Sequence, residues 1–152
     1  MAAATTVRLV FGSGVPLFEL VHDATERLAG LAGFDGDESL NVAIAVREAV
    51  INAVAHGNRK DPRRKVDVTV KARADRIEVR VCDEGQGFDP AATPDPTAGD
   101  NVLKTTGRGL LLMRAFVDEV AFRFREGRGM ELTLVKRHRG GKRTELTQAA
   151  RA

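Results

Sequence analysis

The chain predicts an α+β fold, a two-layer α/β sandwich in which helices cover one face of a mixed five-stranded sheet. Three observations carry that expectation. Residues 65–72 and 76–82 alternate apolar and polar side chains, as strands with one covered and one wet face do. Two helical stripes of apolar residues precede them. A glycine-opened apolar helix and a second pair of alternating strands follow.

Taken in order, residues 7–11 read as a first strand, closed by Gly12, Ser13 and Gly14. Pro16 opens a helix to about Leu28, with Leu17, Leu20, Val21, Ala24 and Leu28 on one stripe. Gly30, Gly33 and Gly36 end it, and Asp37 or Ser39 caps a second helix. That helix carries Leu40, Ala43, Ile44, Val50, Ala53 and Val54 and stops at Gly57. Val66, Val68 and Val70 line the covered face of the next strand, and Ile77, Val79 and Val81 that of its partner. Residues 89–106, with Pro90, Pro94, Pro96 and Gly99, read as a lid or binding loop. A helix over 109–117 and a hairpin of 120–125 with 130–136 complete the order β-α-α-β-β-lid-α-β-β.

The 152 residues suit one domain with a sizeable core, and 30% charged with 43% hydrophobic residues is a soluble globular profile. No run approaches the ~18 apolar residues of a membrane span, and the N-terminus has no secretory pattern. Cys82 is the only cysteine, which excludes an internal disulfide and fits a reducing cytoplasm. The net charge of +3 is uneven: residues 136–152 carry +5, so the first 135 carry −2. A basic, solvated tail at 139–152 is therefore expected beyond a domain at 5–138. Trp and Tyr are absent, so the tail has no aromatic residues of those types to stack on bases, and no nucleic-acid partner is expected.

Residues 82–90 read Cys-Asp-Glu-Gly-Gln-Gly-Phe-Asp-Pro. By parity Asp83 shares the face of Ile77, Val79 and Val81, so a carboxylate points toward the apolar side of the sheet. Such a group needs hydrogen-bond donors, and Gly85 and Gly87 let a ligand approach the bare backbone beside it. An acceptor-only group there suits a ring bearing an exocyclic amine, such as adenine; ordinary turn chemistry is the alternative. On the second helix, Glu48 and Asn52 lie four apart on one face, with His56 one turn on. Their oxygens are hard donors suited to Mg²⁺, whereas the plainer alternative is an exposed polar face. Gly107, Arg108 and Gly109 stand directly before an apolar helix, where backbone N–H groups bind anions; a glycine hinge is the alternative.

The order of these parts resembles the Bergerat-fold ATPases of gyrase, heat-shock chaperones and histidine kinases, and most closely bacterial anti-sigma-factor serine/threonine kinases. The resemblance rests on residues 47–58, 83–90, 94–97 and 107–120, within a span of roughly 5–138. It implies that Asn52 ligates Mg²⁺ bridging the ATP phosphates, that Glu48 is the general base or water-orienting group, and that Asp83 accepts from the adenine amine. It further implies that Ala53, Gly85 and Gly87 shape the adenine pocket, that Gly107, Arg108, Gly109 and Leu110 close over the phosphates, and that His56 serves the phosphate side. One departure stands out: where relatives commonly follow the last-hairpin glycine with Thr, Met130 follows Gly129 here, and Thr133 lies farther along.

The expected activity is transfer of the ATP γ-phosphate to a Ser or Thr of an anti-anti-sigma (STAS-type) protein, with a sigma factor as the second, sequestered partner and a homodimer as the common assembly of relatives. The main alternative is a non-catalytic, sigma-sequestering nucleotide-binding module. A severed histidine-kinase catalytic domain fits less well, because the residues before Glu48 hold one strand, one helix and only His22.

Overall fold

The computed structural model describes residues 3–15, 17–85, 107–125 and 127–138. Strand β1 (Thr5–Gly12) leads to helix α1 (Phe18–Leu31) and helix α2 (Gly36–Asn52), which runs on into a π-helical turn (Ala53–Gly57). Strands β2 (Lys65–Ala72) and β3 (Arg76–Cys82) follow, then helix α3 (Gly107–Phe116) and strands β4 (Glu119–Arg125) and β5 (Gly129–Arg137). This is the expected order. Pro16, Gly87, the expected lid at 89–106 and the expected tail at 139–152 lie outside the described residues.

The strands are ordered β1-β2-β3-β5-β4, and every neighbouring pair is antiparallel. The expectation of a mixed sheet is therefore corrected. A strand-helix-strand crossover normally places two parallel strands side by side. Here β3 and β4, joined through α3, do run the same way, but β5 inserts between them and pairs antiparallel with both.

All three helices pack on one face of the sheet. Val66, Val68, Val70, Ile77, Val79, Val81 and Leu134 are almost completely buried beneath them, as the alternation predicts. The opposite face carries charge: Arg8 makes a bidentate pair with Asp67, and Glu131 lies between Arg80 at 3.6 Å and Arg123 at 3.7 Å. Among the described residues no helix is long and apolar enough to cross a membrane.

The helices differ from expectation in several details: α1 runs through Gly30 to Leu31 rather than ending at that glycine, and Leu40 on α2 is exposed. In α1 the buried stripe is Val21, Thr25, Leu28 and Ala29, while Leu20 faces solvent. Thr25 joins the stripe because its hydroxyl donates to Val21 O at 2.7 Å, which satisfies it within its own helix. The cap of α2 is Asp35, not Asp37 or Ser39: its backbone is extended and its Oδ1 accepts from Glu38 N–H at 2.8 Å. Helix α2 lies between α1 and α3 over the sheet centre, which explains why it buries Val42, Ala43, Ala45, Val46, Ala49 and Val50, most of its circumference.

Candidate functional site

Two clusters of the expected residues form at the ends of one segment, 48–58. At the first, the four-residue spacing on α2 sets Glu48 and Asn52 side by side, both half-buried. Helix α3 crosses them with its first turn, and Gly109 is the point of approach. A Cβ at Gly109 would stand 3.2 Å from Glu48 Oε2 and 3.5 Å from Asn52 Nδ2. The missing side chain thus leaves a cradle between a helix N-terminus, which attracts anions, and a carboxylate–amide pair that turns Glu48 Oε2 and Asn52 Nδ2 toward it, Asn52 Oδ1 being the pair's further oxygen ligand. That donor set fits Mg²⁺ held together with phosphate oxygens. Gly107 and Arg108 belong to the same first turn of α3, and Leu110 is buried behind it.

At the second cluster Asp83 is only 6% exposed, on the covered face of the sheet as its parity predicts. Its Oδ1 accepts from the backbone N–H of Gly85 at 3.0 Å and of Met130 at 3.1 Å. Burial pushes the Asp83 carboxyl above its ordinary range, and these two N–H groups oppose that rise. Among the described residues no hydrogen bond goes to Oδ2, which lies against Gly57. Glycines make the approach to Asp83 possible. Gly129 has φ +104°, and any side chain there would collide with Asp83. A side chain at Gly57 would collide with the Asp83 carboxylate, and one at Gly85 with the Gly57 carbonyl.

The segment joining the clusters is the π-helical turn, which begins at the buried Ala53 and closes with Asn58 N–H donating to Ala53 O at 2.8 Å. Wide turns of this kind recur at functional sites. His56 lies in the last part of this turn and is exposed.

The structure therefore brings Glu48, Asn52 and Gly109 together, and Asp83 with Gly85, and links them through Ala53. Gly87 lies outside the described residues. Gly57, Asn58, Gly129 and the Met130 N–H belong to the site as well, though the sequence marked Gly57 and Gly129 only as an end and a turn. Thr133 lies on the opposite face of the sheet from Asp83: it alternates with the buried Leu132 and Leu134 and pairs with Arg80 and Ala121. It therefore cannot take the place of the threonine that the resemblance leads one to expect after the hairpin glycine.

The chain matches the family described as the histidine kinase-like ATPase domain over residues 17–136. It is similar to the serine-protein kinase RsbW of Bacillus subtilis, at 35% identity over 117 residues that cover 70% of this chain and 72% of that protein. The RsbW proteins of Bacillus licheniformis, at 32% over 117 residues, and Listeria monocytogenes, at 29% over 112, match with similar coverage, 70% of this chain and 71–72% of theirs.

Proposed function

The chain belongs to the histidine kinase-like ATPase family, and from that premise we propose that it is an ATP-dependent protein serine kinase that also sequesters a sigma factor. Its phosphate acceptor is a serine of an anti-anti-sigma protein of the STAS type, and both partners meet it in the cytoplasm. The observation that supports this reading best is the pair of clusters joined by residues 48–58, one suited to a purine amine and the other to phosphates.

In this mechanism Asp83 Oδ2 accepts from the adenine 6-amine, while Oδ1 is held by the Met130 and Gly85 N–H groups. The first-turn N–H groups of α3 face the triphosphate over the Gly109 cradle. Asn52 would hold a magnesium ion, which when bound neutralises charge on the phosphates. Glu48 takes the proton of the acceptor serine as its oxygen attacks the γ-phosphorus, and the bond to the β–γ bridging oxygen breaks to leave ADP. The phosphate adds about −1.5 to −2 charge to the acceptor's contact surface, enough to change its affinity for the kinase.

Incubation with Mg-[γ-³²P]ATP and the purified anti-anti-sigma protein of the same cell tests the proposal. Label on a serine of that protein is the expected result. Mg-ATP at a hundred times its dissociation constant should also add about 2.7 kcal/mol of stability, roughly 5–10 °C in Tm. A thermal shift without transfer would leave a non-catalytic sequestering module; no shift would remove the nucleotide site.

A further inference from the structure

Asn58 is completely buried, and every hydrogen-bonding atom of its side-chain amide is engaged. One Nδ2 hydrogen goes to Ser13 Oγ at 2.8 Å and the other to Lys65 O at 2.9 Å, while Oδ1 accepts from Glu84 N–H at 2.8 Å. The three partners come from the end of β1, the start of β2 and the exit of β3. Glu84 also ties to the start of β2, its carboxylate accepting from Lys65 N–H. Ser13 in turn donates to Arg64 O at 2.9 Å.

This clasp sits one residue from the purine acceptor on both segments it joins. Gly57, which precedes Asn58, faces the Asp83 carboxylate, and Glu84 follows Asp83 directly. The backbone also pays for the arrangement: Arg59 and Lys60, neither a glycine, both take left-handed conformations at φ +52° and +58°. Such conformations persist where the surroundings over-determine them. The side chain must both donate twice and accept once, which an amide does and a carboxylate does not.

We infer that Asn58 is a positioning residue for adenine recognition, holding the 57–58 and 83–85 segments in the register that aims Asp83 at the nucleotide. The inference rests on the nucleotide reading of the site. If Asn58 acts through Asp83, loosening the clasp weakens discrimination between a 6-amino and a 6-oxo purine; a merely structural role weakens both nucleotides equally.

The test is calorimetric titration of Mg-ATP and Mg-GTP into the full chain, as wild type and as Asn58→Asp, Ser13→Ala and Ser13→Thr. Asn58→Asp keeps the acceptor for Glu84 but loses both donors. Ser13→Ala cuts the clasp from outside the site and decides the question if Asn58→Asp does not fold. The wild type should prefer ATP. Ser13→Ala should lower ATP affinity about 3- to 10-fold with little change for GTP, Asn58→Asp should do so about 10-fold or more, and Ser13→Thr should restore wild-type values. An unchanged ATP-to-GTP ratio in the folded variants overturns the inference, as does a wild type that binds both purines equally. A wild type that binds neither nucleotide overturns the nucleotide reading itself.

Discussion

The Cα of Gly57 rests against the carboxylate of Asp83, so closely that a side chain at position 57 would take the place of Oδ2. Gly57→Ala must therefore push the carboxylate or the turn aside. A loss of about 1–3 kcal/mol in stability is expected, as for overpacked interiors, together with loss of the Mg-ATP thermal shift. Thermal unfolding with and without nucleotide measures both, and a full shift in the variant would count against Asp83 as the purine acceptor.

Asp83→Asn separates stability from binding. Burial raises the Asp83 carboxyl above its ordinary range, so the folded state holds that proton more tightly than the unfolded chain. Its contribution to stability is thus complete below the unfolded pKa and is lost as pH rises through the folded one. Asparagine keeps an oxygen for the Met130 and Gly85 N–H groups without the buried charge. The variant should be more stable than wild type near neutral pH, with the difference shrinking on acidification, yet bind ATP poorly. Wild-type ATP affinity should fall over the same acid window, since a protonated carboxyl no longer offers the amine a charged acceptor. Parallel urea titrations across pH would expose a wrong sign.

Glu48 and Asn52 should fail differently although they are neighbours. Glu48→Ala is expected to keep nucleotide binding and lose about 10²–10⁴ in transfer rate. Asn52→Ala should lose the Mg²⁺ dependence of binding. Equal affinities with and without Mg²⁺ in the wild type would contradict the second assignment, and undiminished phosphorylation by Glu48→Ala the first.

Gly109→Ala probes the cradle itself. The new methyl would stand 3.2 Å from Glu48 Oε2, tight enough to displace that carboxylate slightly without disturbing the core. Stability should change by no more than about 1 kcal/mol, while single-turnover transfer drops by about 10-fold to 10²-fold, as small misplacements of catalytic groups do. A wild-type rate in this variant would mean that α3 does not position the reacting groups.

Thr133→Ala should leave ATP affinity within about twofold of wild type. Its side chain points away from Asp83, so no register of the present sheet brings it to the purine. A large loss of affinity would require a different pairing of β5.

Much of this site was legible before any coordinates. Strand parity placed Asp83 on the covered face, because a period of two leaves no third choice, and helical spacing put Asn52 beside Glu48. The α2 cap was less legible: Asp35, Asp37 and Ser39 are all good cap residues, and only the structure shows that the extended backbone falls at Asp35. Strand order escaped for a different reason, since nothing local says that β5 will insert between β3 and β4. The π-helical turn has no pattern of its own in Ala-Val-Ala-His-Gly. Asn58 stands directly after Gly57, where the second helix is expected to stop, and only its three distant partners mark it out.

The Met130 N–H that braces Asp83 belongs to the last strand, some eighty residues after Glu48. If Asp83 holds the purine as proposed, the helix that carries Glu48 and Asn52 leaves the ribosome early, and no purine can be held until the closing hairpin follows. Nucleotide capture would report that the whole domain has been made.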